Sequence, residues 1–335
     1  MPALMRNSSP PGRANYLPRA VIPLLLASCV SAPALADEAM QWVQKMSDAM
    51  RGLSYSGNFV YMHDNQLESM QISHYRDADG EKEHLVSLNG EAREVIRDNQ
   101  NLTCIWPSSR KVVVDLSRKN SFSPIFIPDD IARLEKFYDM RLLGMDRIAN
   151  HNTVVVHIEP RDIYRYGIKF WINRDNHLMM KSSLLDEQNR EIEQVMFTSL
   201  RVYGDDEKPV IDTLPKIDES YTLVRYHRAD SSNSTEVDNA WQLSHTPGGF
   251  WRESVLRRMI PGTEDFVQQM VYTDGLASLS VFIERKTSES LSGATSMGAV
   301  NGYMRIHANH SITAIGEVPA ITVKEVAESI TYRQQ

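Results

Sequence analysis

Ten histidines, two cysteines and 43 carboxylates are the side chains of this 335-residue chain best suited to chemistry. A zinc site needs three or four His, Cys or carboxylate ligands at characteristic spacing. His63, His74 and His84 fall on different expected strands, with no Cys or Glu at ligand spacing, so they read as structural. His307 and His310 bracket an Ala308-Asn309 turn, and a pair lacks the third ligand of a catalytic zinc. Cys104 sits in the apolar pattern Leu102-Thr103-Cys104-Ile105-Trp106 without a nearby base, which describes a buried, inert thiol. The chain has no Gly-x-Ser-x-Gly elbow and no glycine loop of the phosphate-binding kind. Its carboxylates gather in turns such as Asp77-Ala78-Asp79 and Asp205-Asp206-Glu207, where solvated loop residues are the ordinary outcome. No catalytic centre, metal or cofactor is expected, so the chain reads as a binding protein and not an enzyme.

Two groups of residues suit binding. Tyr55, Phe59, Tyr61, Phe170 and Phe197 lie at alternating strand positions and would line one side of a sheet. Such a lining either holds an acyl chain or fills an ordinary core, and the alternation is the same for both. Arg252, Arg257-Arg258 and Arg285-Lys286 form a basic group in an otherwise acidic chain. Arginine at strand ends is usually solvated, yet its planar fork also suits an acidic partner segment.

The elements that must position these residues are legible from periodicity. Met40, Val43, Met46, Met50 and Leu53 recur at helical spacing from Asp37 until Gly52 interrupts them, giving one amphipathic helix. From Tyr55 the period changes to two, with further strands expected at 71–76, 84–88, 94–97, 102–106, 111–116, 141–143, 153–159, 168–172, 181–185 and 195–200. Asp79-Gly80 and Asn89-Gly90 suit tight hairpins and therefore antiparallel neighbours. Pro128-Asp129-Asp130 starts a stretch in which Ile131, Leu134 and Phe137 share a face, so a helix is expected to cross the sheet there. A polar, Pro-marked passage at 204–217 is the expected domain linker, and 229–239 reads as a loop. A second domain is expected from Tyr221, with strands at 221–226, 252–260, 267–272, 277–284, 303–308 and 311–316. Thr322-Val323-Lys324-Glu325 reads as a capping box that opens its one helix. The fold class is α+β, dominated by antiparallel strands, with residues 37–203 and 221–335 as domains and 204–220 joining them.

The first 36 residues read as an export signal: Arg6, Arg13 and Arg19, a short apolar run from Ala20 to Val30, and Ala34-Leu35-Ala36 before Asp37. Cleavage between Ala36 and Asp37 would release the mature chain beyond the inner membrane. The alternative is Leu26-Ala27-Ser28-Cys29, which fits a lipoprotein box and would leave a lipidated Cys29. Loss of residues 1–36 leaves 33 basic and 43 acidic residues, a net charge of about −10. That balance argues against nucleic acid and against a general anionic-lipid surface. Cleavage at Ala36 also leaves Cys104 alone, without a disulfide partner.

Several segments, in order, resemble the RseB/MucB family. They are Asn89-Gly90-Glu91-Ala92-Arg93-Glu94-Val95, Phe137-Tyr138-Asp139-Met140-Arg141-Leu142, Arg165-Tyr166-Gly167 with Trp171, and Lys181-Ser182-Ser183-Leu184-Leu185-Asp186. In the second domain they are Arg257-Arg258, the run from Tyr272-Thr273-Asp274-Gly275 to Ile283, and Gly316-Glu317-Val318-Pro319. The resemblance implies an N-terminal unclosed β-barrel covered by helices, similar to periplasmic lipoprotein carriers, and a smaller C-terminal α+β sheet domain. It implies a periplasmic negative regulator that binds the periplasmic region of a membrane-spanning anti-sigma factor of the RseA/MucA type and shields it from proteolysis. Release by a lipid or lipopolysaccharide-like envelope-stress signal is also implied, and a homo-oligomer stays open. The alternative function is a periplasmic lipid or lipoprotein carrier. The chain departs from the family at His245-Thr246-Pro247-Gly248-Gly249-Phe250, where Trp-Leu-Pro usually precedes Gly-Phe, and at Met179-Met180, where Pro-Leu is usual. The first departure bears on partner-facing detail near the domain junction, and the second on turn packing.

Overall fold

The computed structural model describes residues 32–64, 66–99, 101–115, 131–204, 206–211, 217–226, 240–259 and 266–333. Outside the described residues lie the charged and apolar parts of the export signal with Cys29, the Pro128-Asp129-Asp130 helix start, Leu214-Pro215 and the 229–239 loop. The side chains of Ala36 and Arg258 are outside them as well. Among the described residues no helix is long and apolar enough to cross a membrane.

Helix α1 (Ala32–Gly52) places Ala39, Val43 and Met46 on one fully buried face and ends at the glycine that breaks its periodicity. Its backbone is already helical at Ala36 and Asp37. Strands β1 (Tyr55–His63), β2 (Gln66–Asp77), β3 (Gly80–Ser87), β4 (Glu94–Asp98), β5 (Asn101–Trp106) and β6 (Lys111–Asp115) form an antiparallel meander. After a short 3-10 helix, Ile131–Lys136, come β7 (Tyr138–Ile148), β8 (His151–Pro160), β9 (Gly167–Asn173), β10 (Met179–Leu185) and β11 (Glu191–Val202). Strand β11 returns beside β1 and welds the two meanders together. With β12 (Thr222–Tyr226) the sheet has twelve strands, in the order β12-β6-β5-β4-β3-β2-β1-β11-β10-β9-β8-β7. Its end strands do not pair, so the barrel is unclosed. Helix α1 and the 3-10 helix pack their apolar residues on its concave face.

The second sheet runs β14-β15-β16-β19-β18-β17, built from β14 (Trp251–Met259), β15 (Phe266–Thr273), β16 (Ser278–Arg285), β17 (Gly293–Met297), β18 (Val300–His307) and β19 (His310–Gly316). Helix α2 (Ala320–Ser329) buries Val323, Val326 and Ala327 against it. A two-stranded ribbon of β13 (Trp241–Leu243) and β20 (Ile330–Tyr332) closes this unit.

The structure corrects four expectations. The strand expected to open the second domain, β12, instead pairs in parallel with β6 and extends the first sheet, because β6 otherwise presents a free edge. The helix across the first sheet is a single 3-10 stretch, since only Ile131 and Leu134 face the core and three-residue spacing aligns them. The capping box at Thr322 does not form. Helix α2 starts at Ala320 with Pro319 before it, and the Thr322 hydroxyl donates to the Tyr164 carbonyl at 2.8 Å instead. Residues 293–297, where no strand was expected, form strand β17, whose exposed residues lack an apolar alternation.

Candidate binding sites and the joint between the sheets

Tyr55, Phe59, Phe170 and Phe197 come together in one core under α1, each almost fully buried. The Phe59 and Phe197 rings are tilted, with centroids 5.6 Å apart. Ala39, Val43 and Met46 of α1 and Leu134 of the 3-10 helix belong to the same core, so the concave face is packed by the protein's own side chains. Met179 and Met180, where the chain departs from the family pattern it resembles, are fully buried there. Tyr61 behaves differently. Its ring lies against the rim of this core while its hydroxyl donates to Glu193 Oε2 at 2.9 Å. Burial and then the Glu193 charge push that hydroxyl's pKa upward.

Three of the histidines each have a carboxylate neighbour of their own: His63 faces Glu68 at 3.3 Å, His74 faces Glu81 at 3.4 Å and His84 faces Glu94 at 2.9 Å. His74 stacks on Tyr55 with centroids 4.8 Å apart, and its Nδ1 lies 2.9 Å from the Leu53 carbonyl. The hydrogen bond from His74, with the Arg97 charge, holds the Glu81 carboxyl below its ordinary range against the opposing cost of burial. These are separate pairs spread over β1 to β4. Among the described residues no three His, Cys, Asp or Glu groups are placed to share a metal. His307 and His310 flank a turn with positive φ at Ala308 and Asn309, and both rings edge onto Trp241. Cys104 is buried in β5.

The arginines of the second sheet do not form one patch. Arg252 of β14 stands level with Tyr272 and Leu279, whereas Arg285 ends β16 opposite His310. Leu279 and Arg285 are six residues apart on one strand, roughly 20 Å at about 3.3 Å per residue. Arg257 lies between these levels with its guanidinium 4.3 Å from the Phe266 ring centroid.

Sequence reasoning missed the joint between the two sheets. Arg165, in the loop between β8 and β9, is 1% exposed. Its Nε donates to Asp162 at 3.0 Å, its Nη1 to Asp274 Oδ2 at 2.6 Å and its Nη2 to the Gly248 carbonyl. Phe137, Tyr138 and Phe250 surround the guanidinium at 5.0, 5.4 and 5.0 Å. Tyr138 also donates to Asp274 Oδ2 at 2.8 Å, and burial with the Asp274 charge pushes its hydroxyl's pKa up. The other Asp274 oxygen accepts from the amides of Leu276 and Ala277 in the β15–β16 turn. Both neighbours of Arg165 reach across too: Tyr164 through Thr322, and Tyr166 through Asn301, whose Nδ2 donates to its hydroxyl at 2.9 Å. Gly249, at φ +88°, lies so close that an added Cβ would come within 2.7 Å of the Phe137 ring. Phe137-Tyr138, Arg165-Tyr166 and Asp274-Gly275 are among the segments that carry the family resemblance. Their meeting here is the signal that could have exposed the joint. His245, at the departing segment, is exposed and faces Glu325 of α2 at 3.2 Å.

A second crossing is acidic. Glu193 of β11 accepts from Tyr61 and, at 3.4 Å, from the Ala299 amide in the β17–β18 turn. Glu317, after β19, is pushed up to about 7 by crowding of its carboxyl among protein atoms and by the Glu193 charge, although by surface area the residue is exposed.

The MucB/RseB N-terminal domain model matches residues 38–218 and the MucB/RseB C-terminal domain model matches residues 235–331. The sigma factor AlgU regulatory protein MucB of Pseudomonas aeruginosa is 32% identical over 316 residues, which cover 92% of this chain and 95% of that protein. The sigma-E factor regulatory protein RseB of Escherichia coli K12 is 26% identical over 291 residues, covering 87% and 89%. The crystal structure of MucB in complex with MucA(peri) superposes with a TM-score of 0.68 at 27% identity, covering 89% of this chain and 100% of that one.

Proposed function

This chain belongs to the MucB/RseB family, and from that premise we propose that it is a periplasmic stress sensor and negative regulator. It binds the periplasmic region of a membrane-spanning anti-sigma factor and shields it from regulated proteolysis. The observation that carries this reading is the likeness, over both sheets, to MucB in its complex with MucA(peri). Covering an extended segment needs a large preformed surface and no reactive group, which suits a molecule in which His63, His74 and His84 are each engaged with a carboxylate of their own. Export past the inner membrane, with cleavage between Ala36 and Asp37, brings it to that partner.

A lipid-like signal releases the partner by binding better to the partner-free conformation, since a ligand with equal affinity for both states shifts nothing. The apolar face under α1 is the surface offered for acyl chains, and α1 must yield for them to enter. The test is a digestion of the purified anti-sigma periplasmic region by its processing protease while the mature chain is titrated in. Protection that rises and saturates supports the reading. Equal digestion with and without the chain, at concentrations far above the binding midpoint, overturns it.

A further inference from the structure

The convex side of the first sheet, opposite α1, carries a row that the partner-binding reading leaves unused. Val156, Ile158, Phe170 and Ile172 point into the concave core. Strand alternation therefore turns His157 and Lys169 outward. The register sets His157 of β8 beside Lys169 of β9, and Lys169 beside Ser183 of β10, with Arg141 of β7 next to His157. Cross-strand partners share a face at about 5 Å, so the row is continuous.

Three features of this row are unusual. His157 and Ser183 are 7% and 1% exposed, yet His157 Nε2 and Ser183 Oγ have no hydrogen-bond partner. A buried polar atom without a partner is costly, so two of them on one face, with Lys169 between, are a feature to be explained. Lys169, half-buried between them, has no carboxylate partner among the described residues. The charges acting on His157 are Lys169 and Arg141, the latter paired with Glu159; farther along the face Lys181 lies 4.2 Å from the Trp171 ring centroid and 3.5 Å from Glu191, and Trp171 Nε1 donates to Asp146 at 2.9 Å.

We propose that His157, Lys169 and Ser183, flanked by Arg141, form a binding site for a phosphate group on the convex face of the half-barrel. A phosphate offers several strong acceptor oxygens and a charge that Lys169 lacks a partner to balance. Its oxygens would accept from the Ser183 hydroxyl and from His157 Nε2–H while the lysine and arginine supply the attraction. A single carboxylate has fewer acceptors for three donors spread over neighbouring strands. Burial first, then the Lys169 and Arg141 charges, lower His157 to about 4, so the imidazole is neutral near pH 7 and can present a single N–H. A bound anion reverses the electrostatic part of that effect, which makes His157 its own reporter. The phosphate is either free or carried on a lipid headgroup.

The experiment is an NMR titration of the His157 imidazole in the mature chain, with inorganic phosphate, with phosphatidylglycerol vesicles, and with chloride at matched ionic strength. We expect phosphate to raise the His157 midpoint by about one pH unit, a tenfold coupling. Lys169→Met and Ser183→Ala should each reduce the rise, and each variant's backbone spectrum confirms that it folds. A rise with both probes identifies a site for the phosphate group itself. A rise with vesicles alone assigns the site to a headgroup. A midpoint unmoved by either probe overturns the proposal, as does a rise matched by chloride or retained in both variants, which means an adventitious ion only. The readout needs no anti-sigma factor, so its failure is separate from failure of the partner reading.

Discussion

Arg165 illustrates how one side chain can hold two domains. Taking a guanidinium and a carboxylate out of water costs several kcal/mol each, and the cost is met only when every donor finds an acceptor in good geometry. Here Nε, Nη1 and Nη2 are all occupied and aromatic rings surround the group. Removing Asp274 leaves the buried guanidinium with only the partly exposed Asp162 carboxylate. Asp274→Ala should therefore destabilise the mature chain by about 3–5 kcal/mol in urea unfolding, whereas Tyr138→Phe, which removes one hydroxyl donor to the carboxylate, should cost about 1.5–3 kcal/mol. Glu317 makes a prediction of opposite character. Its folded-state pKa of about 7 lies above its ordinary value of 4.5, so the folded form holds its proton more tightly. The resulting stability is fully present below about pH 4.5 and is lost as pH rises through about 7. Unfolding midpoints of wild type and Glu317→Gln should converge at pH 4.5 and separate by pH 8, with the variant more stable. Parallel curves would show that this carboxyl is not perturbed. None of these roles could be read locally, because Arg165 and Asp274 are 109 positions apart and Glu193 meets Glu317 only across the gap between sheets.

At the scale of elements, the sequence was informative wherever one face is buried and the other wet. Helix α1 and the strands from β1 to β6 follow their periodicities closely, because each element meets a single core. Strand β7 extends from Tyr138 to Ile148 although only three of its residues were expected to be extended. It lies at the sheet edge with Leu143 and Met145 exposed, so burial does not mark its length. Helix α1 supplies the roof of the first core and has a measurable weight. Met46→Ala should cost about 2–5 kcal/mol, the range for a large-to-small change at a fully buried position. Gly249→Ala should also destabilise, since its φ of +88° and the Phe137 ring both exclude a side chain, and thermal unfolding would show it.

For the whole molecule, the joint bears on how a signal could act. If the passage around 204–217 works as a hinge, reorientation must break the Arg165–Asp274 pair. Separation returns both charges to water, so the energy lost is that of the hydrogen bonds and ring contacts around them and not the penalty of a single buried charge. A releasing ligand must prefer the rearranged form by at least as much. Limited proteolysis of the mature chain with and without lipid should expose new cuts in that passage, and an unchanged pattern would count against a hinge. The partner surface can be mapped by charge reversal. Arg257→Glu with Arg258→Glu should weaken anti-sigma binding in a titration more than Arg252→Glu or Arg285→Glu alone, since the latter two stand at opposite ends of the sheet. Equal affinity of the double variant and wild type would remove these two from the interface.

The order of the residues by itself determined the α+β class, the antiparallel hairpins, the α1 face and the family, because hydrophobic period and turn dipeptides report each element's immediate neighbours. Only the tertiary structure decided that β12 would join the first sheet, that Thr322 would reach Tyr164 instead of capping its helix, and that the Asp274 turn would close over Arg165. Those outcomes depend on how the curved sheet docks against its neighbour. A local pattern carries no measure of that distance.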